Sequence, residues 1–449
     1  MAEWTRRRFL AASGALAAVP AGAALLGACS GDDDGEATAR EGEGSTGTTA
    51  APLDPSDWAS VRDQFAIDPD LRHFAAFVFA SHPRPVREAI ERHRRGLDAN
   101  AESYLLAEEE ENEVAVRLAA AEHMGGDPAD IALTDSTTMG LGVLYGGLRL
   151  AEGDEVLTTE HDFYSTHEAL RLRSERTGAT VRRVALYDDP AAADPTEMVE
   201  RLVASVTPAT RVVAVTWVHS GTGVKVPVAE VAAALADADT SGDRPPLLCV
   251  DGVHGLGAEP DTVADLGCDF LVSGTHKWLF GPRGTGVVWG RPDAWRALDP
   301  AIPPFEPSSF TAWIQGGVPT GPAGFRLSPG GYHSAEHRWA LAEAFRFHLD
   351  IGPAAVADRV RTQATQLKEG LAAIPGVEVV TPADPAASAG IVCASARDAD
   401  AVEIVAGLRP LGFVASVTPY RERYARFGPS IVTTPDDVDA LVEAVATLA

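Results

Sequence analysis

The chain has 449 residues, 45% of them hydrophobic, enough for one large domain with a sizeable core and a smaller domain, and too apolar for a disordered protein. A net charge of −27 argues against nucleic acid as a partner. Four cysteines, Cys29, Cys249, Cys268 and Cys393, lack both metal-ligand spacing and the density of a disulfide framework, and the last three sit in or beside apolar runs as buried thiols.

The N-terminus, "MAEWTRRRFLAASGALAAVPAGAALLGACS", is an export address and not a fold element. A basic cluster, Arg6 to Arg8, precedes Phe9, Leu10 and a run of small apolar residues that Pro20 interrupts, which fits a cleaved segment better than a lasting membrane helix. "TRRRFL" resembles the twin-arginine export signal, and "LLGAC" resembles a bacterial lipobox with Cys29 as the lipid-carrying residue, although Gly27 is a less usual occupant. The expected location is the cell envelope, on the outer side of the cytoplasmic membrane. Residues 1–29 are read as the signal peptide and 30–56 as a flexible linker, since Gly31 to Ser56 carries seven acids against one arginine.

From about Asp57 the composition turns globular. "HPRPVREAIERHRRGLDANAESY" predicts a helix opened by prolines, and "EENEVAVRLAAAEHM" a second. Strand and helix then alternate. "DIALTD" is followed by "STTMGLGVLYGGLRL", "DEVLTTE" by "STHEALRLRSERTG", and "TVRRVAL" and "TRVVAVTWV" by "VAEVAAALADA". "PPLLCVDG", "CDFLVS" and "TGVVWG" complete the set of strands. Strands apolar along their length, alternating with helices, predict an α/β fold with a mostly parallel sheet covered on both faces. From Ala335 onward, long helices and the short strands "VEVVTP", "GIVCAS" and "GFVASVTP" predict a smaller α+β domain.

Ligands of such sheets sit beyond the carboxyl ends of the strands. The first strand ends at Ser136-Thr137-Thr138 on a helix start, a site for phosphate or simply an N-cap. The others end at His161, at Ser220, at Asp251 with His254, and at Lys277. A carboxylate closing a buried strand is costly unless partnered. Asp251 precedes Lys277 by 26 residues, one strand-helix-strand excursion. Pyridoxal phosphate needs this set: a lysine for the Schiff base, an acid for the pyridine nitrogen, a helix start for the phosphate and a flat group on the ring. "GPRGTG" precedes a strand instead of linking strand to helix, which is the wrong context for a dinucleotide loop.

"TDSTTMG", "TEHDFYS", "VDGVHGLG" and "SGTHKWLFGPRGTG" resemble class V aminotransferase-fold enzymes, of fold type I among pyridoxal-phosphate enzymes, from about Phe74 to the C-terminus. "VHSGTG" and "DGVHG" point to a branch that includes isopenicillin N epimerase-like proteins. The resemblance implies a large cofactor-binding domain over 76–320 with a mostly parallel, seven-stranded type of sheet. It also implies a small domain over 321–449, an N-terminal segment, 57–75, packed on that small domain, and a homodimer. Lys277 is then the Schiff-base lysine and acid/base, Asp251 the partner of the pyridine nitrogen, and His161 the stacking residue. Thr137 and Thr138 hold the phosphate with His276 and Ser273 or Thr275, and His254 and Ser220 lie near the phenolic oxygen. In "RFGPSIVTTPDDVDALVEA", Arg426 is placed on the α-carboxylate of an amino-acid substrate, which a guanidinium suits by its two parallel hydrogen bonds. No metal is implied.

Two features depart from the family pattern. Gly330-Gly331 stands where relatives carry "GT", whose threonine reaches the phosphate of the neighbouring subunit; Tyr332 or His333 are the candidate substitutes. Cys393 lies in a strand-like run and the loop from Tyr420 to Pro429 has no cysteine, which is not the arrangement of a cysteine desulfurase. The expected activity is therefore transamination, epimerisation or lysis of an amino acid. A retired enzyme that binds the cofactor or an amino acid without turnover is the alternative, and an interaction scaffold is a third.

Overall fold

The computed structural model describes residues 52–237 and 245–449. The expected signal peptide, lipid-bearing Cys29 and most of the linker lie outside the described residues. The centre of the fold is a seven-stranded sheet: β1 (Ile131–Thr134), β2 (Glu155–Thr159), β3 (Thr180–Val184), β4 (Thr210–Thr216), β5 (Leu247–Asp251), β6 (Phe270–Gly274) and β7 (Gly286–Gly290). Their spatial order is β1-β7-β6-β5-β4-β2-β3, with β7 antiparallel to both neighbours and the other pairs parallel. Because β7 runs against both β1 and β6, the carboxyl ends of β1, β2, β4, β5 and β6 share one edge. Val, Leu, Ile and Ala dominate the buried strands since both faces are covered. One cluster, with Leu133, Val213, Val215 and Val250, packs under one layer of helices, and another, with Ala132, Val156, Cys249, Val272 and Val288, under the other. The edge strand β3 carries Arg182 and Arg183, charges that discourage pairing with another chain.

The helix predicted from His82 through Tyr104 is two helices, Arg84–Ala99 and Ala101–Met124. Asn100 breaks it, leaving the helical region (φ −162°, ψ 89°) and accepting the Ser103 amide with its side chain. "GFVASVTP" is likewise two short strands with different partners. Phe413–Val414 pairs in parallel with Arg72–His73, tying the N-terminal segment to the C-terminal part. Residues 416–417 join a small antiparallel sheet formed by β8 (Val377–Val379), β9 (Val392–Ala396), β10 (Ser416–Val417) and β11 (Ala425–Phe427), in the order β10-β11-β9-β8. The helix Ala335–Ile351 shares its buried face with the larger cluster through Leu341, Ala342, Ala344 and Phe345. Gly352 (φ +93°) and Pro353 then turn the chain into the helix Pro353–Ala372, which backs the small sheet.

Between the two parts lies a third cluster of Phe77, Trp278, Phe280, Phe347, Val360, Cys393 and Ile431. Buried Glu259 joins Lys225 (3.1 Å) and Arg361 across the same junction. Cys249, Cys268 and Cys393 are buried and unbridged.

Candidate active site

Lys277 follows β6 in a tightly held turn. Its carbonyl accepts the Phe280 amide (2.9 Å), and the Thr275 carbonyl accepts the Gly281 amide (2.8 Å). Phe280 takes a φ of +54°, unusual for a bulky residue and a sign of stored strain beside the lysine. The turn is fixed from below by Trp278, 1% exposed and stacked on Phe77 at 6.1 Å. Close packing of this tryptophan needs Gly390, where a Cβ would come within 2.6 Å of its ring. Small and aromatic neighbours thus anchor the backbone while the Lys277 ammonium reaches His254 Nε2 at 3.4 Å.

Asp251 closes β5 and is 2% exposed. Its Oδ1 accepts the Val253 amide at 3.1 Å, and its second oxygen has no donor among the described residues. Burial pushes this carboxyl up, while burial pushes Lys277 down against the pull of Asp251. A buried carboxylate and a half-buried amine with open valences fit a group that brings a protonated ring nitrogen to the first and a carbonyl to the second.

His161 sits after β2. Its Nε2 accepts the Leu186 amide at 3.1 Å, which puts the proton on Nδ1, and burial lowers its pKa to about 3. One ring face stacks on Tyr187, centroids 3.8 Å apart and planes within 9°. The Tyr187 hydroxyl is fixed in turn by His219 Nδ1 (3.0 Å) and Thr222 (2.9 Å). The next residue, buried Asp162, accepts Thr216 N at 2.7 Å, Thr158 Oγ1 at 2.7 Å, Thr159 N at 2.8 Å and Thr159 Oγ1 at 2.9 Å, so it pins the turn carrying His161 to the ends of β2 and β4. Tyr187, His219 and Asp162 went unread in the sequence. Asp162 had one available signal, a carboxylate one residue past a strand-end histidine.

Thr137 and Thr138 begin the helix Thr137–Gly147, whose first amides have no intrahelical partner. Ser136 caps it by accepting the Met139 amide at 3.1 Å. Thr137 Oγ1 accepts the Gly274 amide at 2.8 Å and so joins helix start to strand end; Thr138 is exposed. A Cβ on Gly274 would lie 3.1 Å from the Thr137 amide nitrogen and 3.0 Å from His276 Cε1, so the cradle exists because residue 274 has no side chain. Burial lowers the His276 pKa to about 4. Ser273 donates to the Gly274 carbonyl at 2.9 Å, and Thr275 is committed to Thr285. His254 is buried, and its Nδ1 has no hydrogen-bond partner among the described residues.

Arg426, on β11, is 6% exposed and has no carboxylate partner among the described residues. Its Nη1 donates to the Ser220 carbonyl (2.9 Å), its Nε to Ser416 Oγ (3.1 Å), and its Cζ lies 4.8 Å from the Phe77 ring centroid. A buried cation without an anion is a seat for one. Gly331 takes a φ of +113°, a backbone region closed to β-branched residues, so no threonine fits there without strain. His333 binds Asp135 (2.9 Å), and Tyr332 points to solvent at 86% exposure.

This sheet order, with a lysine turn, a strand-end aspartate and a helix-start cradle on one edge, defines a fold type I transferase of the pyridoxal-phosphate class. A family model described as aminotransferase class V matches residues 80–412, and the chain belongs to that family of pyridoxal-phosphate-dependent enzymes. The isopenicillin N epimerase of Streptomyces clavuligerus is 27% identical over 407 residues, covering 88% of this chain and 98% of its own. A cysteine desulfurase of Cronobacter sakazakii is 25% identical over 392 residues, with 83% and 92% covered. Among solved structures, the cystine C–S lyase C-DES in complex with its product cysteine persulfide superposes with a TM-score of 0.76 at 22% identity, covering 85% of this chain and 98% of its own. The apo cysteine desulfurase of Thermococcus onnurineus NA1 gives 0.75 at 19%, covering 87% and 97%. These two likenesses concern the fold alone.

Proposed function

We propose that this chain is a pyridoxal-phosphate enzyme that transforms an amino acid, with Lys277 moving the proton at the substrate's α-carbon. The carrying observation is the convergence of half-buried Lys277 and buried Asp251 at one sheet edge with Arg426, buried and without a carboxylate partner among the described residues, which reaches that edge from the small sheet through the Ser220 carbonyl. Bound there, pyridoxal phosphate supplies an electron sink for charge developing at the α-carbon. Asp251 offers its open oxygen to the ring nitrogen and keeps it charged. The first amides and Thr137 of the helix, with His276, receive the phosphate. His161, neutral and backed by Tyr187, offers its free face to the ring. Arg426 fixes the α-carboxylate, which orients the α-hydrogen. Lys277, pushed toward its neutral form by burial, is both the attachment point and the base.

Transamination, epimerisation and elimination all begin with loss of the α-hydrogen, so this residue set serves each. The epimerase likeness along nearly the whole chain favours proton return at the α-carbon. Desulfuration of the cysteine-nucleophile type is disfavoured, because Cys393 is fully buried in β9 with its thiol pushed up to about 12, and the β10–β11 loop carries Tyr420 instead of a cysteine.

The test is the visible spectrum of the protein purified with pyridoxal phosphate, wild type beside Lys277→Ala, followed by loss of α-deuterium from labelled amino acids. A yellow band lost in the variant, with exchange on at least one amino acid, is expected. No band in either protein overturns the cofactor reading. A band without exchange on any amino acid leaves a binder without turnover.

The sequence also supports export through a twin-arginine signal and lipidation at Cys29 as part of this reading; mass spectrometry of the membrane-extracted N-terminus tests both. Exposed Phe305, Trp313, Ile314, Val318 and Tyr332 support a homodimer, which size-exclusion chromatography with light scattering tests.

A further inference from the structure

We propose that Tyr420, paired with Ser220, is a second donor to the substrate's carboxylate beside Arg426; this rests on the reading of Arg426 given above. The Tyr420 hydroxyl lies 2.7 Å from Ser220 Oγ, and the Ser220 carbonyl accepts from Arg426 Nη1 at 2.9 Å. Three polar groups are therefore linked in one row at the end of β4. Two hydroxyls bonded to each other hold two protons and use one between them, so the second is available to an incoming anion. Arg426 Nη2 has no partner among the described residues, since Nε and Nη1 take Ser416 and Ser220. A carboxylate placed there meets a guanidinium and a hydroxyl donor together.

The position of the Tyr420 ring is enforced by three elements. It packs against Gly221, where a Cβ would come to 3.0 Å from two ring carbons. Phe163, two residues past His161, meets it edge-on at 6.0 Å and 72°. Its own hairpin loop is closed by Thr418, which donates to the Glu422 carbonyl (3.0 Å) and accepts the Tyr424 amide (2.9 Å). Tyr420 thus stands between the His161 turn and Arg426. Burial raises its hydroxyl to about 12, so at neutral pH it donates and does not carry charge.

The experiment separates a carboxylate contact from a mere latch between the two parts of the chain. The cofactor-loaded protein is titrated with the proteinogenic amino acid that perturbs the visible band most, and with the amine that is that amino acid without its carboxyl group. Tyr420→Phe is expected to weaken the amino acid about 10-fold and to leave the amine unchanged. Ser220→Ala is expected to do the same, and Arg426→Gln more strongly. A latch alone would alter both ligands equally or neither, and either result overturns the proposal. If Arg426→Gln discriminates and Tyr420→Phe does not, the inference falls while the Arg426 reading stands. If Arg426→Gln does not discriminate either, or no amino acid perturbs the band, the carboxylate reading falls and takes this one with it.

Discussion

Asp251 is a carboxylate that its fold leaves partly unsatisfied, with one backbone amide on one oxygen and no donor to the other among the described residues. Such a residue costs stability until it is paired and favours whatever brings a positive N–H to it. Asp251→Ala is therefore expected to keep a folded protein that binds the cofactor more weakly and turns over about 100-fold or more slowly; full activity in the variant would remove Asp251 from the site. His161 poses the complementary case, a ring whose orientation is set from behind. Tyr187→Leu removes the stack at 3.8 Å and leaves His219 and Thr222 without their hydroxyl partner. The expected result is several-fold weaker cofactor binding and a diminished circular-dichroism signal in the visible band. Tyr187→Phe keeps the stack, so it should restore most of that signal. Equal loss in both variants would mean that the hydroxyl matters and the stack does not.

At the scale of elements, the site is made by strand ends meeting helix starts, and at one such meeting the Gly274 amide at the end of β6 donates to Thr137 Oγ1 at the start of the helix Thr137–Gly147 (2.8 Å). Gly274→Ala places a methyl group 2.9 Å from Thr137 Oγ1 and 3.1 Å from its amide nitrogen, so the helix start must move. About 10-fold weaker cofactor binding at nearly unchanged melting temperature is expected, read by equilibrium titration of the visible band. The large sheet was legible because buried parallel strands write their burial as unbroken apolar runs, and their ends are where charged and hydroxyl residues reappear. Lys277, Asp251, His161 and Thr137 could be placed on that ground. What the sequence hid depends on contacts between distant segments. Nothing local marks Tyr187 as the backing of His161, 26 residues away, or Tyr420 as the partner of Ser220, 200 residues away. Nor does a propensity show that Arg72–His73 will pair with Phe413–Val414, or that Asn100 will act as a cap and not as a helix interior residue. The glycine at 331 was visible, but its reason, a φ of +113°, is a property of the folded backbone.

At the scale of the whole molecule, seven of the twelve histidines are pushed well below their ordinary value by burial. His82, His123 and His276 are lowered to about 4, His161, His219 and His348 to about 3, and His254 lies well below its ordinary value. In the unfolded chain each titrates near 6.5. Between about pH 6.5 and 4 the unfolded state therefore binds more protons at these positions than the folded state, and stability falls as pH falls. Asp130, raised by burial to about 6, and Asp251, also raised, work in the opposite direction over the same range, but they are outnumbered. His123 and His348 isolate the effect, since both rings are buried in the core, 5.9 Å apart. One pH unit below 6.5, each such histidine withholds about 1.4 kcal/mol of stability. The pair replaced by leucine should thus remove about 3 kcal/mol of the loss seen between pH 7.5 and 5.5. Denaturant unfolding at both pH values reads this directly, provided wild type and variant keep the same m-value. An undiminished loss in the variant would show that these two histidines take up protons without unfolding, and the acid sensitivity would then belong to the histidines at the sheet edge, where it would be relieved by bound cofactor.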